Sequence, residues 1–503
     1  MGILEKYLNS GKKFTPEMMY YTSALDLISK ESPETARSIM NELENQNSHL
    51  KLIASENYSS LSVQAAMGNL LTDKYAEGYA YHRYYAGTEN VDAIESDACE
   101  KAKELFGAEC AYVQPHCGAD ANMIAYWAVL NEKVGKHVLE NCNKIMRDEK
   151  NEVKSYNDLN PDEWNILRNA LHNQKLLALD YTCGGHLTHG FRQNISAQLF
   201  DVYTYGVGED GLIDYDYIEK IALSIKPLII LAGYSAYPRK LDFERFRQIA
   251  DKCGAVLMVD MAHFAGLVAG KVFTGKYDPV PYADIVTTTT HKTLRGPRGG
   301  MILCKKWLED AVNGGCPMVM GGPLPQMMAA KAIALKEAST DSFKDYAIKI
   351  VENSQALADA LKECGVKVQT DGTDNHIVLV DVSKFAINGR QAESALLDCG
   401  IICNRNALPN DPNGAWYTSG LRLGTPALTT RGFGVDEMKE IATIIAKVLI
   451  FTAPKVLSNG KKSNVKYNLD SEVKAECSNK VKQLLSSHPL YPELDLAWLK
   501  ENL

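Results

Sequence analysis

Thr287–Gly300 reads "TTTTHKTLRGPRGG": four hydroxyls, a His–Lys pair, then two arginines spaced among glycines and a proline. An apolar run, "ADIV" from Ala283, leads into it, and "GGMILCKK" from Gly299 opens another. A strand that ends in hydroxyls and turns through a cationic, glycine-rich loop suits a small anionic ligand, because ligands of α/β domains bind beyond the carboxyl ends of strands. Two readings are open at this point. The loop holds phosphate or nucleic acid, or Lys292 bonds covalently to a phosphate-bearing aldehyde.

The neighbouring sequence repeats the pattern. "KPLIILAGYSAY" (226–237) and "AVLMVDMAH" (255–263) contain buried-strand runs. Between them "DFERFRQIADKCG" puts Phe243, Phe246, Ile249, Ala250 and Cys253 on one helical face, with Gly254 at the stop. Such alternation from about residue 100 to 310 predicts an α/β domain with a largely parallel sheet. Residues 1–50 read as an N-terminal helical arm, with Ser32 and Pro33 as an N-cap and first helical position. Residues 51–340 form the large domain. Within it, 131–179 is rich in Lys, Glu, Asp and Asn, and reads as a helical surface insertion without a strand; "NPDEWNILRNAL" (160–171) is its capped helix. From 341 a long helix runs to Gly365 and segments such as "HIVLVDV" follow, predicting a smaller C-terminal α+β domain over 341–503.

Composition narrows the function classes. Of 503 residues, 46% are hydrophobic and 23% charged, as in ordinary globular proteins, and the formal net charge is −8. A nucleic-acid binder shows a basic excess or stripe, so a nucleic-acid partner is not expected. The twelve cysteines include no Cys-x-x-Cys pair, which reads as reduced thiols of a cytoplasmic protein. No apolar run reaches the roughly 18 residues of a membrane span, and Lys6 stands where a myristoylation motif wants Ser or Thr.

Two motifs are decoys. "GVGEDG" (206–211) matches the dinucleotide-binding glycine pattern, but Glu209 and Asp210 would oppose a pyrophosphate, and a strand-to-helix turn explains it better. His186 and His189 in "GGHLTHG" lack further ligands at zinc spacing, and no His-Glu-x-x-His occurs; no metal is expected, and the glycines suit close approach to a flat or anionic ligand. Asp260, His263 and Lys292 combine differently. A cofactor of the pyridoxal phosphate type needs a lysine amine, an acid beside its ring nitrogen, and hydroxyls, N–H groups and a cation for its phosphate. Lys292, Asp260, Thr287–Thr290 and Arg298 are those residue types.

The chain resembles the serine hydroxymethyltransferase family of fold-type I pyridoxal-phosphate enzymes. "VTTTTHKTLRGPRGG" (286–300) carries the resemblance, together with "LIASENY" (52–58), "DKYAEGYAYHRYYAG" (73–87), "GGHLTHG" (184–190), "VDMAHFAGLVA" (259–269), "GGPL" (321–324) and "SGLRLGTPA" (419–427), in order from about 50 to 450. The resemblance implies the following roles. Lys292 holds the cofactor covalently, Asp260 pairs with its ring nitrogen and His186 stacks on its ring. Ser235 and His263 contact its phenolic side, while Thr289 and His291 support it near the lysine. Gly118 and Ala119 stand in the phosphate loop. Arg422, with Ser55, clamps the substrate carboxylate, a task suited to a guanidinium fork, and Arg298 orients the loop around Lys292. Glu77 is the acid–base carboxyl for serine and folate. Tyr84, Gly185, Leu187 and Asn406 line the pterin pocket. Tyr75, Tyr85, Gly321 and Gly322 complete the site across a homodimer, or dimer-of-dimers, interface.

The implied activity is exchange of serine and glycine, with the hydroxymethyl carbon passing to tetrahydrofolate, and a folate-independent aldolase side activity on 3-hydroxyamino acids. Departures from the family pattern qualify it. Cys117-Gly118-Ala119, then Asp120, replace a Ser-Gly-Ser phosphate loop. Loss of a charge-assisted hydrogen bond, about 1.5–3 kcal/mol, implies weaker cofactor retention. "GGCPMVM" (314–320), Tyr181 and Cys183 also depart, near the partner contact and the pterin, and the 131–179 insertion either covers the folate entrance or alters assembly. The rival readings are a pyridoxal-phosphate aldolase or racemase of small amino acids with little folate dependence, a nicotinamide dehydrogenase, and a phosphate- or RNA-binding protein.

Overall fold

A computed structural model describes residues 2–146, 152–153 and 155–503. Its centre is a seven-stranded sheet of β1 (Cys110–Tyr112), β2 (Lys175–Leu179), β3 (Asp201–Tyr205), β4 (Ile229–Gly233), β5 (Val256–Asp260), β6 (Ile285–Thr289) and β7 (Gly300–Cys304), in the spatial order β1-β7-β6-β5-β4-β2-β3. The strands from β6 through β5, β4 and β2 to β3 are parallel. Only β7 runs antiparallel to its neighbours β6 and β1. The α/β reading with a largely parallel sheet is therefore observed.

The central strands β2, β4 and β5 are apolar almost throughout because both faces are covered, whereas the edge strand β3, "DVYTY", is partly exposed. Alternate residues divide between two cores. Leu177, Ile230, Ala232, Leu257 and Val259 enter one cluster, and Leu176, Ile229, Leu231, Val256 and Met258 the other. The helix expected from "DFERFRQIADKCG" spans Phe243–Cys253 and stops at Gly254, whose φ is 76°. "GVGEDG" is a turn: Gly208 N–H donates to the Leu212 carbonyl at 2.7 Å, and the next helix starts only after its N-cap, Asp214.

A second sheet, β8 (Lys367–Val368), β9 (Ile377–Asp381), β10 (Asn404–Asn406) and β11 (Gly420–Gly424), orders as β8-β9-β11-β10 and is wholly antiparallel. It shares a separate core with helices Asp341–Glu363 and Val435–Ile450. The N-terminal helices Ile3–Leu8, Pro16–Glu31 and Pro33–Ser48 bury Tyr7, Leu25 and Leu43 against Leu494, Trp498 and Leu499 from the C-terminus. Among the described residues no helix is long and apolar enough to cross a membrane.

The reading of 131–179 needs two corrections; of it, 147–151 and 154 lie outside the described residues. First, it does contain a strand. β2, "KLLAL", is buried between β4 and β3. Its leucines and alanine, without a β-branched residue, read locally as helix, and only burial on both faces makes them a strand. Second, the inserted helices do not cover the site end of the sheet. Helix α1 (Gly118–Leu130) starts beside Thr289, and its 13 residues carry the chain about 20 Å away. The chain then returns through helix α2 (Pro161–His172) and enters β2 from that strand's amino end. The inserted helices therefore lie towards the amino ends of the parallel strands, which does not favour the first of the two expectations, cover over the site, and leaves the second, an effect on assembly.

Gly233 closes β4 with a φ of 138° and lies level with Asp260 of β5. A Cβ there would stand 2.3 Å from the Asp260 carbonyl oxygen, whereas one at Gly254 meets nothing within 4 Å. Gly254→Ala is expected to cost about 1 kcal/mol for its left-handed backbone alone. Gly233→Ala adds a backbone clash, so thermal melting should fall clearly further for it; equal melting temperatures would contradict this packing.

Candidate active site

Strand register sets the frame. Gly233 pairs with Asp260 and Asp260 with Thr287, so β4 and β5 end level and β6 runs two residues further, to Thr289. Ser235, His263 and Lys292 follow within three residues of those ends.

Asp260 is buried, and both of its oxygens are engaged. Oδ1 accepts from Ala262 N–H at 3.0 Å, and Oδ2 accepts from Asn122 Nδ2 at 2.9 Å and lies 3.0 Å from His189 Nε2. Burial alone would raise the carboxyl, but the His189 and Asn122 contacts outweigh it and hold the group well below the ordinary range. Asn122 also donates to Thr188 Oγ1 at 2.8 Å and accepts from Thr287 Oγ1 at 2.6 Å. His186 Nδ1 lies 2.7 Å from Thr188 Oγ1, and burial pushes that ring down to about 4. His186, His189 and Asp260 come within metal-ligating distance of one another, but their contacts are those of a hydrogen-bonded carboxylate.

Lys292 is 8% exposed. Among the described residues its Nζ makes no hydrogen bond and no ion pair. Burial, with help from Arg422 and Arg298 and opposed by Asp260, pushes the amine down to about 8. Its backbone is tied down, because its carbonyl accepts from Asn57 Nδ2 at 2.9 Å and from Arg295 N–H at 3.0 Å. Thr289 Oγ1 donates to the Ala262 carbonyl at 3.2 Å. His291, half-buried and pushed down to about 3 by burial, leaves Nδ1 sealed without a partner. The turn itself is held by Thr290, whose hydroxyl donates to the Pro297 carbonyl and whose backbone bonds Gly296 and Gly299. This corrects the role given to Arg298. Its side chain is exposed and makes no hydrogen bond or ion pair among the described residues, so it does not fix the loop.

Arg422 reaches this cleft from β11. Its Nη1 donates to the Ser235 carbonyl at 2.7 Å and its Nε to Asn404 Oδ1 at 3.1 Å, and burial pushes it down to about 10. Two residues on, Gly424 packs so tightly on Ala54 that a Cβ would lie 2.3 Å from the Ala54 Cα, which places Ser55 beside the same strand. On the other side, Cys117 caps α1 without a side-chain hydrogen bond, followed by Gly118 and Ala119 at the helix N-terminus. Asp120 turns to His116, 3.8 Å away, and remains a third exposed. Tyr181, Leu187 and half-buried Asn406 are accessible, and Gly185 lies against the Leu179 carbonyl.

A second group stands apart. Tyr75 and Tyr85 have ring centres 5.1 Å apart, and Tyr75 lies against Gly322. Glu77 is half-buried; its carboxylate acts on Tyr85 and Cys316, while the charges acting on Lys292 are Asp260, Arg422 and Arg298. The segment is anchored by Arg83, which donates to the carbonyls of Ala76 and Gly78 at 2.9 and 3.0 Å and pairs with Asp92 and Glu95. Tyr75, Tyr81 and Tyr84 are 55%, 69% and 70% exposed. The chain thus brings Lys292, Asp260, His186, Ser235, His263, Thr289, His291 and Arg422 together, and holds Tyr75, Glu77, Tyr84, Tyr85, Gly321 and Gly322 as a separate, outward-facing set.

Sequence reasoning missed Asn57 and Asn122. Asn122 had a signal, as a polar residue one turn past Gly118 in the otherwise apolar "NMIAYWAVL". Asn57 stands in the quoted "LIASENY" (52–58), but nothing there points to its partner 235 residues away. A buried, unpartnered amine, an ionised buried carboxylate and the start of a helix together suit a ligand with a carbonyl, a basic ring nitrogen and an anionic group.

Comparison with known proteins agrees. The family model described as serine hydroxymethyltransferase matches residues 28–140 and 164–445. A protein of that name from Treponema pallidum (strain Nichols) is 55% identical over 481 residues, 95% of this chain and 82% of the other. One from Salinispora tropica is 54% identical over 481 residues, 95% and 99% of the two chains. One from Chlamydia muridarum is 49% identical over 503 residues, 99% of each. The chain belongs to the serine hydroxymethyltransferase family.

Proposed function

We propose that this protein interconverts serine and glycine, moving the hydroxymethyl carbon between serine and tetrahydrofolate with pyridoxal phosphate as cofactor. The observation that carries the reading is Lys292, a buried amine without a partner, set among Asp260, Arg422 and the start of α1. Lys292 would hold the cofactor covalently, Asp260 would keep its ring nitrogen protonated, and His186 would lie on its ring. The backbone N–H groups of Gly118 and Ala119 would receive its phosphate. When bound, this group would supply an electron-accepting ring, linked through the amino nitrogen, that can take up the electrons of a bond broken at the amino acid's Cα.

The chain's own residues do the rest. Arg422 clamps the substrate carboxylate with Ser55 beside it, which fixes the amino acid's orientation. Ser235 and His263 bound the cofactor's phenolic side, with Thr289 and His291 behind it. Glu77 holds or moves the proton of the serine hydroxyl, and Tyr84, Gly185, Leu187 and Asn406 receive the pterin. Cys117 and Ala119 bring no hydroxyl to the phosphate, so retention weaker than with a Ser-Gly-Ser loop stays part of the proposal, softened by the turn of Asp120 towards His116.

The separate placing of Glu77 and Tyr75 supports a homodimer in which each chain completes the other's site. The exposed tyrosines around them are the residue type enriched at such interfaces. That no disulfide joins the cysteines among the described residues suits a cytoplasmic setting.

Serine cleavage should rise strongly when tetrahydrofolate is added and vanish in Lys292→Ala; folate-indifferent cleavage would favour an aldolase. The lowered Lys292 amine also has a pH consequence. Its neutral, nucleophilic form predominates above about 8 instead of above the ordinary lysine range. Covalent uptake of the cofactor by apoprotein should therefore accelerate as pH rises, with a midpoint near 8; a midpoint in the ordinary lysine range would contradict the burial. Finally, mixing Lys292→Ala and Tyr75→Ala chains should recover about one-quarter of wild-type activity, because half of randomly paired dimers carry one intact site of two. No recovery would place Tyr75 in its own chain's site.

A further inference from the structure

His376 belongs to none of the roles above, yet it touches the cleft's inner wall. It immediately precedes β9, is fully buried, and its Nε2 lies 3.2 Å from Nδ1 of His263. The ring planes are within 18° of each other and the ring centres 5.4 Å apart. That separation is the 3.2 Å contact plus one ring radius at each end. The two nitrogens therefore lie on the line between ring centres, and the rings meet edge to edge. This is the linear geometry of a hydrogen bond and not that of stacked faces.

Both rings are neutral. Burial, then the Lys292 and Arg422 cations, hold each far below the ordinary histidine value. One proton therefore lies between the facing nitrogens, and its owner decides what His263 shows to the cleft. His263 Nε2 has no protein partner among the described residues, yet it is not among the sealed unpartnered atoms, so it borders accessible space. His376 Nδ1 is sealed and has no partner. If His263 donated to His376, a neutral His376 would have to carry its proton on that sealed Nδ1, leaving a buried N–H without an acceptor. If His376 donates, the sealed atom is a bare lone pair, and His263 carries its proton on Nε2. A buried orphan N–H is the rarer and costlier defect. The second arrangement also gives the cleft a donor, which suits the anionic oxygens of cofactor and substrate.

We propose that His376 is a positioning residue that locks His263 into the tautomer protonated on Nε2, so that His263 faces the cleft as a hydrogen-bond donor. The anionic occupant rests on the function proposed above; the tautomer itself does not. The two partners are rigidly placed for this. Asn375, next to His376, donates to Tyr234 Oη and to the Tyr237 carbonyl, each at 3.0 Å, across the domain boundary. The His263 carbonyl accepts from Thr293 Oγ1 at 2.7 Å.

Nitrogen-15 spectra of holoenzyme labelled at histidine side chains read the tautomer directly, with the His263 signals identified by their loss in His263→Gln. A pyrrole-type Nε2 and a pyridine-type Nδ1 are expected, and a protonated Nδ1 would overturn the proposal whatever reaction the protein catalyses. His376→Leu should abolish the tautomer preference and lower kcat about 10- to 100-fold, by analogy with metal-ligating histidines that lose their orienting partner, with KM for serine changing less. His376→Gln, which returns an N–H donor at the Nε2 position, should restore most of that loss. Equal kcat in the wild type and a folded His376→Leu variant would refute the positioning role.

Discussion

A carboxylate taken out of water destabilises a fold unless its oxygens are met by donors, and the active-site end of this molecule is arranged around meeting those of Asp260. Ala262 N–H comes from the turn after β5, Asn122 from α1 and His189 from the 184–190 loop. Asn122 extends the same network to Thr188 and to Thr287 of β6. One charge therefore fixes the relative positions of two strand ends, a helix and a glycine-rich loop. Lys292 emerges three residues beyond β6 with its amine near that charge and, among the described residues, without a hydrogen bond or ion pair.

The smaller domain meets the cleft wall through polar contacts as well as apolar packing. Arg422 holds the Ser235 carbonyl, Asn375 holds Tyr234 and Tyr237, and Arg239 pairs with Asp374 at 2.8 Å. Each polar contact is satisfied across the boundary, and β9 packs on both sides of it: Ile377 and Leu379 enter the large domain's core, Val378 and Val380 the smaller one's. The segment carrying Glu77 is built in the opposite sense. Arg83, with Asp92 and Glu95 as buried partners, anchors it from beneath, and its tyrosines are left facing outward.

Much of this was legible in the chain. Runs such as "LIILA", "VLMVD" and "IVTTT" read as strands because they are apolar and short, and "DFERFRQIADKCG" read as a helix because its apolar period and terminal glycine agree. Lys292, Asp260 and Arg422 were readable from residue type and motif. "KLLAL" was not, because its helix-favouring composition is overridden only when it is buried between two neighbouring strands. The site of the insertion was hidden for a related reason: the end of the sheet from which a segment departs is a property of the strands around it. Arg298 was read from residue type and the family resemblance as fixing the loop, but Thr290 holds the turn, and the guanidinium is left exposed.

Local sequence thus determined which residue types stand at strand ends, where the helices start and stop, and the family to which the motifs point. These depend on spacing and propensity within a few residues. Tertiary structure alone decided that Asn57 and Asn122 hold Lys292 and Asp260, that His376 meets His263, and that Glu77 stands away from the lysine of its own chain. Those facts depend on which distant segments share a wall, and a hydrogen bond between residues 113 or 235 positions apart leaves no periodic trace in the sequence.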